Sequence, residues 1–157
     1  SSTFSMQVDY ELAKRLDLRV AYKYQDIQTN FQSIGWKKDP FIPSNRVLVN
    51  LAYETKSKWK FDATWNWYDT KRIPSTEGNP AEFQFAQKSP TLNMVSAQIT
   101  KTFGKFDVYL GGENLLNERQ NDAIIDPDNP FGNYFDSQLV WGPIFGRNIY
   151  IGANFKM

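Results

Sequence analysis

Apolar and polar residues alternate one for one along most of this chain. In TFSMQVDYEL, Phe4, Met6, Val8, Tyr10 and Leu12 are separated by Ser5, Gln7, Asp9 and Glu11. In LDLRVAYKYQ, Leu16, Leu18, Val20, Tyr22 and Tyr24 oppose Asp17, Arg19, Ala21, Lys23 and Gln25. RVLVNLAYE sets Val47, Val49, Leu51 and Tyr53 on one side, and WKFDATWNWY sets Trp59, Phe61, Ala63, Trp65 and Trp67 against Lys60, Asp62, Thr64, Asn66 and Tyr68. NMVSAQITKTF alternates least cleanly, since Lys101 shares a side with Val95, Ala97, Ile99 and Phe103. KFDVYLGGEN places Phe106, Val108 and Leu110 against Asp107, Tyr109 and Glu113; the final stretch does the same with Ile149, Ile151, Ala153, Phe155 and Met157. A period of two is the signature of a strand with one apolar face, so the pattern predicts seven strands and no helix.

The connections alternate as well. AKR, TKSK and GK are of hairpin length, whereas the stretches from about Asp26 to Asn45, Asp69 to Thr91 and Leu115 to Arg147 are long and hold most of the prolines. AEFQFAQ in the second long stretch alternates weakly and predicts a strand extension there. Short turns at one end, long loops at the other and strands of about ten residues describe an outer-membrane barrel wall. A soluble barrel with its apolar side inward, binding a small apolar ligand there, has the same alternation and is the alternative outside the membrane. Three tryptophans on one face of one strand (Trp59, Trp65, Trp67) are hard to pack inside a small barrel. Tyr10, Trp59, Phe106 and Phe155 near short turns, with Tyr24, Trp65 and Trp67 towards long loops, suit two lipid-facing interfacial girdles.

Composition narrows the chemistry. The 157 residues include no cysteine and no histidine. Disulfides, thiolate metal sites and every His-assisted nucleophile are thereby excluded. No constellation of carboxylates suggests an enzyme, and no cofactor site is evident. A net charge of +1 gives no electrostatic case for nucleic acid. The chain is polar on average and 16% aromatic, without the run of roughly 20 apolar residues that a membrane helix needs.

YLGGENLLNERQ, followed by NPFG, YFD, WGP, GR and IYIGANF, resembles the C-terminal end of TonB-dependent outer-membrane receptors. The pieces PFIPSNR, YETKSKWKFDATWNWYDTKRIP and SPTLNMVSAQITKTFGKFDVYLGGEN fit that family in the same order, from about Tyr22 onward. The resemblance implies a barrel of about 22 strands closed by a plug. It would sit in the outer membrane of a Gram-negative bacterium and import a scarce nutrient, an iron chelate, a cobalamin or an oligosaccharide, with energy from TonB. Residues 1–157 would then be a C-terminal barrel segment of seven strands without the plug, its partners being lipid, the rest of the barrel and plug, and the TonB system. Single-chain bacterial barrels have an even strand number, and seven strands leave two open edges. The last strand would close the barrel, its Gly152 and Ala153 suiting a tight seam. A receptor-like barrel serving as a structural subunit is the alternative within the membrane.

Candidate contact residues fall into two groups. Tyr109, Glu113 and Asn114 are expected on the inner side near the long loops, where they either line a substrate path or simply hydrogen-bond their neighbours. Trp36, Phe41, Phe131, Tyr134 and Phe135 are loop aromatics that either stack on a ligand or pack on one another. The inward Arg19, Lys23, Lys60, Asp62 and Asp107 read as a cross-strand charge ladder. Asp122, Asp126, Asp128 and Asp136 match no calcium-loop spacing and read as turn residues.

Overall fold

The computed structural model describes residues 1–32 and 35–156; the apolar-side position expected of Met157 lies outside them. Among the described residues nine strands are formed: β1 (Ser2–Ala13), β2 (Leu16–Asp26), β3 (Gln28–Phe31), β4 (Gly35–Lys38), β5 (Asn45–Glu54), β6 (Trp59–Tyr68), β7 (Leu92–Phe103), β8 (Phe106–Glu113) and β9 (Asn148–Phe155). Seven of them make one antiparallel sheet in the order β1-β2-β5-β6-β7-β8-β9, which is open at β1 and β9 and not closed into a barrel. These are the seven strands that the alternation predicts. No helix of the described residues is long and apolar enough to cross a membrane.

Two expectations are corrected in the long connections. The first contains a separate hairpin, β3–β4, pairing Thr29 with Lys37 and Asn30 with Trp36. Four-residue strands with so few apolar side chains carry too little periodicity to be read from sequence. AEFQFAQ is not a strand: Ala81–Phe83 form a 3-10 turn. Pro80 offers no amide N–H to a ladder, and the pairing nearby is an isolated bridge between Arg72 and Lys88.

The register keeps the two kinds of side chain apart across the sheet. Val8 pairs with Val20, Val20 with Val49, Val49 with Trp65 and Trp65 with Val95. One step along, Asp9 pairs with Arg19, Arg19 with Asn50, Asn50 with Thr64 and Thr64 with Ser96. Because side chains alternate with a period of two, a slip of one residue would exchange these rows. Lys101, the misfit of the pattern, stays on the apolar side without reaching its middle. Its ammonium lies 5.1 Å from the Trp59 ring centre and donates to the Ser57 carbonyl in the turn. The stem covers apolar surface while the charge reaches the sheet's end.

No second layer covers the apolar face among the described residues. Tyr10, Phe103 and Phe155 are exposed there, and Ile151 keeps 77% of its surface. Each large apolar side chain left in water forgoes about 1.5–3 kcal/mol of burial, and a continuous apolar patch of this extent marks a contact surface. Curvature separates the faces further. Three grooves of about 590, 620 and 460 Å³ are lined mainly by polar-face residues such as Lys23, Asn66, Asp62 and Asn50, so the hollows of the sheet lie on its polar, concave side.

Apart from Leu92 at the start of β7, the buried apolar residues sit elsewhere. Ile73, Ile125 and Leu139 form a cluster within the long connections, with Phe41, Phe83, Phe85 and Trp141 packed against it. The three loops therefore fold into a cap at one end of the sheet. At β8–β9 two tyrosines fill the space over glycines of the neighbouring strand: Tyr109 over Gly152 and Tyr150 over Gly111. Gly152 thus serves a contact inside the sheet, whatever lies beyond the β9 edge. Gly152→Val should drive the Tyr109 ring from its seat and destabilise the protein by about 1–3 kcal/mol. Adding Tyr109→Ala should recover part of that loss, measured by thermal or denaturant unfolding; strictly additive effects would show that the two residues do not share the space.

Candidate functional site

The concave face carries most of the strands' charged side chains, and several are matched. Arg19 Nε lies 2.5 Å from Asp9 Oδ1, Lys156 Nζ 2.7 Å from Asp107 Oδ2 and Lys60 Nζ 3.9 Å from Glu54 Oε2. Asn50 donates to both carboxylate oxygens of Asp62 at 3.2 and 3.1 Å. Exposed pairs of this kind contribute little each, but they satisfy the polar face across neighbouring strands. Lys23 is different. Its partners in register are Ser5 on one side and Arg46 on the other, and Arg46 pairs with Tyr68.

The loop cap is tied by its own polar groups. Gln120, 4% exposed, accepts from the amides of Trp141 and Gly142 and donates to the carbonyls of Asp122 and Leu139. The first and second loops are joined where the Phe41 amide donates to the Arg72 carbonyl at 2.9 Å. Arg72 in turn donates from Nε to the Lys38 carbonyl and lies 5.7 Å from the Phe31 ring centre. The second and third loops are joined by Lys71, which donates to the Trp141 carbonyl, and by the stacked rings of Phe83 and Tyr134, 5.1 Å apart. Partial burial, with Arg46 nearby, holds the Lys71 ammonium below the ordinary lysine range.

The expected contact residues do not form one constellation. Asn114 is buried and serves the backbone, accepting from the Glu118 amide and donating to the carbonyls of Glu118 and Phe145. Glu113 is exposed and shares with Asn114 a cleft of about 540 Å³ that Arg147 also lines. Tyr109 lies edge-on to Tyr150, their ring centres 6.2 Å apart, as part of the glycine packing. Phe41 is packed into the loop cluster, Tyr134 is stacked on Phe83, and Phe135 is half-buried. Trp36 and Phe131 stand clear at 70% and 99% exposed. Asp122, Asp126, Asp128 and Asp136 do not converge; among the described residues no group of three or more acidic side chains is placed to hold a metal ion. Asp136 instead bridges through its backbone to Ile125.

The aromatic girdle residues all lie on the apolar face. Tyr10, Trp59, Phe106 and Phe155 are at the short-turn end, the last two 4.8 Å apart. Tyr24 and Trp67 are at the loop end, and Trp65 lies two residues inward from Trp67. Sequence reading missed the polar fringe that goes with them. Trp65 Nε1 donates to Asn93 at 3.1 Å, Tyr22 donates to Asn45 at 2.7 Å, and Asn45 donates to Asp69 at 2.6 Å. Asn45, Asp69 and Asn93 occupy apolar-side positions at strand ends, the one signal that could have found them. An aromatic body with a polar tip is the arrangement favoured where apolar and aqueous phases meet.

No protein-family model matches the chain, and no curated protein matches it. Gln120→Leu should leave the buried groups around Trp141 without partners, at a cost of about 1–3 kcal/mol. Hydrogen exchange and proteolysis should quicken in residues 120–145 while the strands keep their protection; unchanged exchange in that loop would show that Gln120 does not hold the cap.

Proposed function

We propose that this chain is part of the wall of a TonB-dependent outer-membrane transporter, with its convex face against lipid and its concave face lining an aqueous lumen. The observation that carries the proposal is the pairing of curvature with polarity. A soluble barrel would fold its apolar side inward, whereas here the grooves open on the charged side and the aromatics stand outside. Strand length agrees. The sheet strands run from 8 to 12 residues, against about 9–11 for a tilted transmembrane strand.

Edges complete the case for a larger barrel. β1 and β9 each have one unpaired side, and unpaired backbone groups are not tolerated in hydrocarbon. Further strands must therefore flank the sheet. The order of motifs from PFIPSNR to IYIGANF favours the receptor family as their source. In this role the chain moves a ligand without transforming it. The loop cap, with Trp36 and Phe131 clear of the packed core, would form part of the mouth.

The native polypeptide carrying this sequence, extracted from outer membranes, should have a mass several-fold above the 18.2 kDa of these residues. Cells lacking it should take up less iron chelate, cobalamin or oligosaccharide under limitation. A mass near 18.2 kDa in detergent would replace the transporter with a subunit of a larger assembly. Recovery in the aqueous fraction would overturn the membrane reading.

A further inference from the structure

On the concave face, Arg46 and Lys23 stand out because nothing negative answers them. Arg19, Lys60 and Lys156 each have a carboxylate within reach, whereas Lys23 and Arg46 appear in no ion pair among the described residues. They are direct partners across β2 and β5, an arrangement of like charges that opposes pairing. The row continues as Ser5, Lys23, Arg46 and Tyr68, with no carboxylate in it. Arg46 lies 5.8 Å from the Tyr68 ring centre, and its Nε is buried with no hydrogen-bond partner among the described residues. Lys71, in the adjoining loop, adds a third cation, whose charge is disfavoured first by burial and then by the nearness of Arg46. A buried guanidinium N–H without an acceptor is costly, and an anion that reached it would supply one.

The two cations share one space. Ser5, Gln7, Lys23, Arg46, Asn66 and Tyr68 line the groove of about 590 Å³ at the loop end of the face. That volume lies in the range of small-molecule sites, about 300–1,000 Å³. Its polar lining combines donors of three kinds: a planar fork, a mobile ammonium and neutral amides and hydroxyls. We propose that this groove binds a small oxyanion, a carboxylate or phosphate group, with Arg46 as the two-point donor and Lys23 as the second charge. Arginine is the side chain whose geometry matches such a group with two parallel hydrogen bonds. Ser5, Gln7 and Asn66 fix its orientation, and Tyr68 holds the guanidinium from the side. The inference rests on the transporter reading for its biological meaning: the cargo that passes this wall carries an oxyanion.

Citrate is the probe, titrated calorimetrically into the complete native polypeptide in a non-ionic detergent at low salt, where screening is weak. The wild type should bind it. Arg46→Gln should weaken binding about tenfold or more, and Arg46→Lys should recover only part of it because the fork is lost. Lys23 is exposed, so Lys23→Gln tests the site without threatening the fold and should weaken binding about fivefold. Lys60→Gln removes the same charge from the same face outside the groove and should leave binding unchanged. In the absence of citrate, neither Arg46→Gln nor Lys23→Gln should lower the unfolding temperature, since each relieves repulsion. Failure of the wild type to bind citrate, as when an acidic side chain of the same polypeptide already fills the groove, overturns the proposal. Equal loss in Lys60→Gln also overturns it, by showing a diffuse charge effect. Either result leaves the transporter reading standing if the polypeptide is large and needs detergent, so the two failures are distinguishable.

Discussion

Everything in this molecule follows from a seven-stranded sheet with one face that none of the described residues covers. In water such a face would be a liability of many kcal/mol, at about 25 cal/mol for each Å² left wet. Here it is the most regular feature of the sequence, repeated on all seven strands. Its register is equally strict, because any one-residue slip would carry Asp9, Arg19, Lys60 or Asp62 to the apolar side. In the proposed membrane setting, lipid would turn the liability into the force that fixes the register, since a basic side chain at mid-bilayer costs about 2–4 kcal/mol.

The apolar core, by contrast, belongs to the loops. Ile73, Ile125 and Leu139 bury one another at one end of the sheet, and Gln120, Asn114 and Lys71 tie the surrounding backbone. A cap of this kind needs partners from distant parts of the chain. It holds the loop end in shape without any contribution from the apolar face, which stays free. The division leaves the concave face as the place for chemistry. There the matched pairs serve the sheet, and the unmatched Lys23–Arg46 row is where a ligand has something to satisfy.

The strands were legible because alternation over eight to twelve residues is a strong local signal. Even the misfit Lys101 is explained by position, close enough to the turn for its ammonium to reach Ser57. The hairpin β3–β4 was not legible, its short strands having too few apolar residues to show a period. AEFQFAQ misled for the converse reason: Phe83 and Phe85 alternate, yet both pack against the loop core and follow Pro80. Tyr109 could be assigned to the polar side but not to its seat over Gly152, which depends on the pairing of β8 with β9. Arg46 was overlooked as a site residue because its significance lies in what faces it across the strand. Local periodicity gives faces; only pairing gives neighbours.

The central claim is that the convex face meets hydrocarbon, and spin labels along β6 test it most directly. The chain has no cysteine, so single cysteines at the positions of Phe61, Ala63 and Trp65, and of Asp62, Thr64 and Asn66, can each carry one nitroxide in the bilayer-reconstituted native polypeptide. Accessibility to oxygen, which concentrates in lipid, and to a polar nickel complex should then oscillate with a period of two and in opposite phase. Oxygen should be the better collision partner at the first three sites and nickel at the other three. Protection of Phe61, Ala63 and Trp65 positions from both reagents would place that face in a protein core and contradict the account.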